Sequence, residues 1–273
     1  MKKMFKLGKR KDIASRFKGE TLIERGILQR TKNDPIRMIP DLNVIKIGGQ
    51  SLMDYGKKVV YPIINEIVEL RKKHKMLLVT GGGTRARHTY DIALDLNLPT
   101  GMLASLGEMI ATQNALMLFG LLAAYGGARI TKEDIPELPV YFQQGFIPII
   151  NGMPPYNWYE PPPSVGSIPE NRTDVGAYML AEVLGARKII FAKDVDGLYT
   201  DNPKKNPRAK FIPRISAKEL IKMDLPDMVV ERPVIKMMLS ARFAREIQII
   251  NAHKKGNLTR ALNGKPVGTI IYS

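Results

Sequence analysis

Two hydrophobic periods alternate along the chain from residue 43 onward. "NVIKI" (43–47) is a short, largely β-branched run that ends at Gly48-Gly49. Residues 54–75, "DYGKKVVYPIINEIVELRKKHK", place Val60, Ile63, Ile64, Ile67 and Leu70 on one face of a helix. "MLLVT" (76–80) is a second uninterrupted apolar run, bounded by Gly81-Gly82-Gly83 and followed by a helical stretch with Ala86, Tyr90, Ala93 and Leu94. Residues 102–125 are helical in pattern and apolar on most sides, which suits either a buried helix or a subunit contact. "FIPIIN" (146–151), "RKIIFAK" (187–193), "EIQIIN" (246–251) and "GTIIYS" (268–273) complete a strand series. Strands alternating with helices predict an α/β fold with a mainly parallel central sheet covered on both faces. No internal repeat or linker divides residues 38–273, which are expected to form one domain behind an N-terminal arm at 1–37. Proline density in "PPYNWYEPPPSVGSIPE" (154–170) predicts one long irregular loop.

Composition narrows the chemistry. The chain has 273 residues and no cysteine, so disulfides, Fe–S clusters and thiolate zinc sites are excluded. Its three histidines, His74, His88 and His253, are too scattered to suggest a histidine-built metal centre or a Ser-His-Asp arrangement. The apolar stretch at 115–128 is too short to span a bilayer, and the basic N-terminus lacks the apolar core of a signal peptide. The expectation is a cytoplasmic protein without membrane insertion. Net charge is +16, and residues 1–37 alone carry twelve Lys/Arg against four acids. Such an arm can touch RNA, an anionic membrane surface or an acidic partner subunit, or remain a solvated tail.

Strand, glycines and helix occur twice in succession. Glycines allow a backbone to approach an anion, and a following helix presents free N–H groups at its positive end. Lys46 precedes the first cluster, while Arg85 and Arg87 follow the second. Neither cluster fits G-x-x-x-x-G-K-[ST] or G-x-G-x-x-G, so tight turns are the competing reading. Lys46 could equally be an edge-strand lysine reaching water along its stem. "FAKDVDGLYTDNPKKNP" (191–207) puts Lys193, Asp194, Asp196, Gly197, Tyr199 and Asn202 after a strand, where open α/β sheets bind ligands, although such loops are often plain connections. In "ENRTDVGAYMLAE" (170–182), Thr173 or Asp174 is expected to cap a helix; Asp174 could instead orient two lysines or hold Mg²⁺. Lys46, Lys193, Asp174 and two glycine cradles together are the inventory that phosphoryl transfer requires, since its catalysis is mainly positioning and charge stabilisation.

The order "KIGG", "TGGGTRAR", "RTDVGA", "AKDVDGLYTDNP", "GTII" resembles the amino-acid-kinase family, in its uridylate-kinase branch and, within that, the molybdenum-storage proteins. "VIKIGGQS" (44–51), "GMPPY" (152–156), "FIPRIS" (211–216) and "GNLTRAL" (256–262) extend the likeness over about residues 38–273. The resemblance implies a three-layer α/β/α sandwich. It assigns Lys46, Gly48 and Gly49 to the transferring phosphate, and Gly81, Gly82, Gly83 and Arg85 to a second phosphate cradle. Asp174 would organise the centre with Lys193, while Asp196, Tyr199 and Asn202 would line a nucleotide pocket. It also implies ATP and Mg²⁺ as cofactors, molybdate or tungstate gathered as oxide clusters, and a homo- or hetero-hexamer. Lys193 stands one position earlier than the lysine usual in uridylate kinases, and Asn202 replaces a usual Asp. The segment from Asn151 to Asp174 is much longer than the short Thr-rich segment with which uridylate kinases grip their acceptor nucleotide. No histidine lies between His88 and His253, whereas one type of storage subunit carries several after Pro-Pro-Tyr. The readings that compete are therefore an oxyanion store, a UMP kinase, and a non-catalytic assembly or nucleic-acid-associated protein. The last has only the basic arm in its favour, because the aromatic interleaving used for single strands is missing.

Overall fold

The computed structural model describes residues 36–155, 168–203 and 205–273. Nearly all of the basic arm and most of the proline-rich loop lie outside the described residues.

An eight-stranded sheet forms the middle layer. In chain order its strands are β1 (Leu42–Ile47), β2 (Lys75–Thr80), β3 (Gly127–Arg129), β4 (Ile147–Asn151), β5 (Lys188–Lys193), β8 (Arg214–Ser216), β9 (Glu246–Asn251) and β10 (Thr269–Tyr272). A separate hairpin pairs β6 (Leu198–Tyr199) with β7 (Phe211–Ile212). The spatial order is β3-β4-β2-β1-β5-β9-β10-β8, and all neighbouring pairs are parallel except β9 with β10. The mainly parallel α/β sandwich expected from the periodicity is what forms.

Alternation along the strands sorts the core into two layers. Val44, Val79, Ile189, Phe191, Ile247 and Ile249 face α4 (Leu138–Gln143), α5 (Thr173–Leu184), α6 (Ala217–Met223) and α7 (Arg232–Met238). Ile45, Ile47, Leu78, Ile190, Ala192 and Ile250 face α1 (Lys57–Leu70), α3 (Thr100–Leu122) and α8 (Asn257–Leu262). Helix α2 (Thr84–Asp95) joins through a smaller cluster with α3 that contains Ala86, Tyr90, Leu103 and Ile110.

Helix α3 corrects one expectation. With the turn that follows it, Thr100–Tyr125 is long and apolar enough to cross a membrane, because Glu108, Gln113 and Asn114 do not break it. Here, however, Ala115, Leu118 and Leu122 pack on the sheet and Glu108 pairs with Lys132 at 2.7 Å. Its outer side leaves Met102, Met109, Leu116 and Met117 exposed, so the helix is buried on one side only.

The chain order positions the site. From β1 the chain moves to β2, β3 and β4 on one side, then crosses through α5 to β5 on the other side of β1. Loops leaving β1 and its neighbours diverge there, and open α/β sheets bind ligands at such a switch point.

Candidate functional site

The two lysines and the aspartate meet at this point. Lys46 shares a strand face with Val44, and Lys193 with Phe191, so both side chains leave the sheet toward α5. Asp174, in the first turn of α5, receives them. Lys46 Nζ lies 2.5 Å from Oδ1, and Lys193 Nζ donates to Oδ2 at 2.8 Å. The Lys46 contact is an ion pair off the angle of a hydrogen bond, so Oδ1 is neutralised without being directionally satisfied. Lys46 is 5% exposed and Asp174 3%. The edge-strand reading of Lys46 is thereby overturned, because β1 is central in the sheet. Burial alone would push the Asp174 carboxyl up, but the Lys193 and Lys46 ammonium groups outweigh it and hold the carboxyl well below the usual range. Burial pushes the Lys46 ammonium down, against the pull of Asp174.

Both glycine clusters have their carbonyls pinned internally. Met53 N donates to Gly48 O (3.2 Å), Asp54 N to Gly49 O (2.9 Å) and Arg87 N to Gly83 O (3.3 Å). Asn114, buried in α3, donates through Nδ2 to Gly81 O (2.5 Å) and Gly82 O (3.3 Å). Among the described residues nothing accepts from the N–H groups of Gly49, Gln50, Gly82 or Gly83, all of which line one cleft. Free amides beside two ammonium groups make an anion cradle. The glycines also let the loops touch: a Cβ on Gly49 would stand 2.3 Å from Gly83 N and 2.6 Å from Gly82 C. Gly83, at φ +76, meets Gly49 and Gln50 in return. His253 supports the first cradle from behind, its Nε2 lying 2.8 Å from Ser51 O.

The cleft has a volume of about 520 Å³ and is lined by Lys46, Gly48, Gly49, Gly81, Gly82, Gly83, Asp174, Lys193, Tyr199 and Asn202. Two expected residues stand elsewhere. Arg85 turns its guanidinium to Gln113 Oε1 (3.2 Å) and Asn114 Oδ1, so it braces the second cradle from outside the lining, and Arg87 faces the cleft instead. Asp196 lies outside the lining, bonded to Lys254 Nζ (2.6 Å) and Asn251 Nδ2 (3.0 Å), while Asp194 and Asp201 line the cleft.

The expected cap of α5 is also corrected. Neither Thr173 nor Asp174 caps it; the cap position falls on Arg172, whose side chain makes no capping bond. The carboxylate of Glu231, at the start of α7, takes that role from a distant part of the chain. Glu231, Asn114 and Asp201 were not identified from the sequence. For Asn114 a signal existed: it is an amide inside an otherwise apolar helix, where a polar residue must find a partner.

The comparisons agree with this architecture. A protein named molybdenum storage protein subunit beta from Azotobacter vinelandii is 46% identical over 260 residues, covering 91% of this chain and 96% of its own length. A uridylate kinase from Metallosphaera sedula is 27% identical over 235 residues, covering 84% of this chain and 97% of its own. Among solved structures, UMP kinase from Bacillus anthracis superposes with a TM-score of 0.68 at 22% identity, covering 86% of this chain and 96% of that one. Uridylate kinase from Archaeoglobus fulgidus gives 0.67 at 22%, covering 84% and 99%; at these identities the likeness is one of fold. The profile of the amino acid kinase family matches residues 41–250, and the chain belongs to that family.

Proposed function

We propose that this chain is a subunit of an ATP-binding store for molybdate or tungstate, which uses the nucleotide to build or retain polynuclear oxide clusters. The observation that carries the nucleotide part is the convergence of free amides from two glycine loops on the Lys46–Asp174–Lys193 cluster. The storage part rests on 46% identity across nearly the whole chain to a protein named for molybdenum storage.

In this reading the cradles hold the phosphates, and the lysines stabilise charge that builds as the bond between the β,γ-bridging oxygen and the γ-phosphorus breaks and a water oxygen bonds to that phosphorus, giving ADP and phosphate. Asp174 keeps the two ammonium groups apart and aimed. Tyr199 and Asn202, which line the same cleft, would hold the nucleotide. A magnesium ion fits only as a companion of the nucleotide. Both Asp174 oxygens already face lysines, and among the described residues no group of three or more His, Cys, Asp or Glu could hold a metal. When bound with the phosphates, Mg²⁺ would supply charge neutralisation; this chain's own contribution is the amides and lysines. Assembly as a homo- or hetero-hexamer in the cytoplasm belongs to the same proposal, with the apolar side of α3 available for subunit contact.

The second reading is a UMP kinase, favoured by the shared fold and opposed by the long segment between Asn151 and Asp174. Isotopically labelled ATP offered with UMP and, separately, with molybdate decides between them. The proposal expects no labelled UDP and ATP turnover that responds to molybdate. Rapid UDP formation would overturn it in favour of the kinase.

A further inference from the structure

The first turn of α5 is a helix N-terminus facing the cleft, and it is already filled. Glu231 Oε2 accepts from Arg172 N (3.0 Å) and Val175 N (3.1 Å), and Oε1 accepts from Asp174 N (3.2 Å). The Arg172 guanidinium approaches the same carboxylate at 3.6 Å. The Asp174 and Val175 amides, which would otherwise attract a phosphate, are thus consumed by a carboxylate of the chain itself. On its other side the turn is pressed against the end of β4: a Cβ on Gly176 would stand 1.9 Å from Gly152 O. Asp174 therefore projects from a turn clamped on both sides.

The segment that delivers Glu231 is strained. Val229 has φ +62, a conformation that β-branched residues rarely adopt. Val230 N closes a three-residue turn onto Met228 O at 2.6 Å, and Val229 N donates to Asp227 Oδ1 at 2.8 Å. Asp227, Val229, Val230 and Glu231 all line the cleft. Backbone strain of this kind persists only where surrounding contacts over-determine it, and here Glu231's three bonds are the anchor that follows the turn.

We infer that Glu231 is a positioning residue: its carboxylate, delivered by the strained Val229 turn, occupies the anion site of α5 and thereby fixes Asp174 between Lys46 and Lys193. The inference rests on the phosphate-handling reading of the cleft. It also restricts where a ligand's anionic group sits, since Glu231 takes the Asp174 and Val175 amides of α5 and leaves the amides of the β1 and β2 loops, with that of Thr173, to the cleft.

The test compares the full-length wild type with Glu231→Gln, which puts an NH₂ group where amide donors converge, and with Lys46→Ala. Three quantities are read: ATP turnover, ATP affinity, and acetylation of Lys46 and Lys193 by a water-soluble acetylating ester, followed by peptide mass spectrometry. Glu231→Gln is expected to lower kcat at least tenfold, to leave ATP affinity within about threefold, and to raise acetylation of both lysines several-fold. Wild-type turnover and labelling accompanied only by a lower melting temperature would reduce Glu231 to a helix cap and overturn the inference. Should Glu231→Gln not fold, Glu231→Asp keeps the charge but is one methylene too short; wild-type labelling and turnover in that variant would be equally contrary. Unchanged turnover in Lys46→Ala would instead defeat the reading of the cleft, while lysine labelling would still decide the role of Glu231.

Discussion

At the scale of single residues, burying the Asp174 carboxylate costs solvation that the Lys46 and Lys193 ammonium groups must return. Removing one member of such a buried set strands the others. Asp174→Asn is expected to reduce ATP turnover at least a hundredfold and, as breaking buried pairs typically costs about 3–5 kcal/mol, to lower stability as well. Enzyme assays and denaturant titration of the same preparation check this; normal turnover would remove Asp174 from the chemistry. The two buried carboxylates should also leave opposite marks on stability against pH. Burial, then the nearby Asp174 charge, raise the Glu231 carboxyl above its ordinary value of 4.5. Between 4.5 and that raised value the folded state binds more protons than the unfolded one, so this group's contribution is lost as pH rises through the window. Asp174 is depressed below 3.8, so its contribution is present above that value and lost as pH falls beneath it. Subtracting the stability curve of Glu231→Gln from that of the wild type should show the first slope, and subtracting that of Asp174→Asn the second. Flat difference curves would contradict the assigned environments.

Elements add a requirement that no single side chain reveals: the β1 and β2 loops must touch backbone to backbone. Gly49→Ala places a methyl group 2.3–2.6 Å from Gly82 and Gly83 and should separate the cradles, abolishing measurable ATP binding and costing about 1–3 kcal/mol as overpacking does. Gly56 is the control: its φ +61 and ψ −150 strain any side chain but its Cβ position is open, so Gly56→Ala should cost about 1–3 kcal/mol and leave ATP affinity unchanged. Calorimetric binding and thermal melts of both variants separate a local effect of the cradle from a general loss of fold. The same scale explains what was legible in advance. β1, β2, β4, β5 and β9 are predominantly apolar segments of five or six residues and α1 is strongly amphipathic, so periodicity exposed them. The strands β3 and β6–β8 and the helices α4, α6, α7 and α8 are only two to seven residues long, too short to show a period. Lys46, Asp174 and Lys193 were readable because each stands out beside glycines or at a strand or helix end. Glu231 was not, because it lies 57 positions beyond Asp174 in the chain, and nothing local to either signals the other. Arg85 and Arg87 lie two positions apart on α2, and only the course of α3 determines that Arg85 turns to Asn114 while Arg87 faces the cleft.

Across the whole molecule, a recurrent device holds the layers around the cleft: carboxylates from distant segments take the free amides of helix starts and loops. Glu231 does this for α5, Glu66 for α8 through Gly256 N (2.7 Å) and Thr259 N (2.8 Å), and Asp54 for α2 through Thr84 N (2.8 Å). Glu182 likewise gathers Arg242, Phe243 and Ala244 N. Against this background the uncommitted amides of the glycine loops are distinctive, and they carry the claim that the cleft takes phosphates and drives oxyanion storage. The measurement that tests the claim most directly is molybdenum content by mass spectrometry after gel filtration, with wild type and Lys46→Ala each incubated with molybdate, with or without MgATP. The account predicts several molybdenum atoms retained per chain by the wild type only when MgATP is present, and none by Lys46→Ala. Retention that ignores ATP or survives Lys46→Ala, or no retention at all, would contradict it.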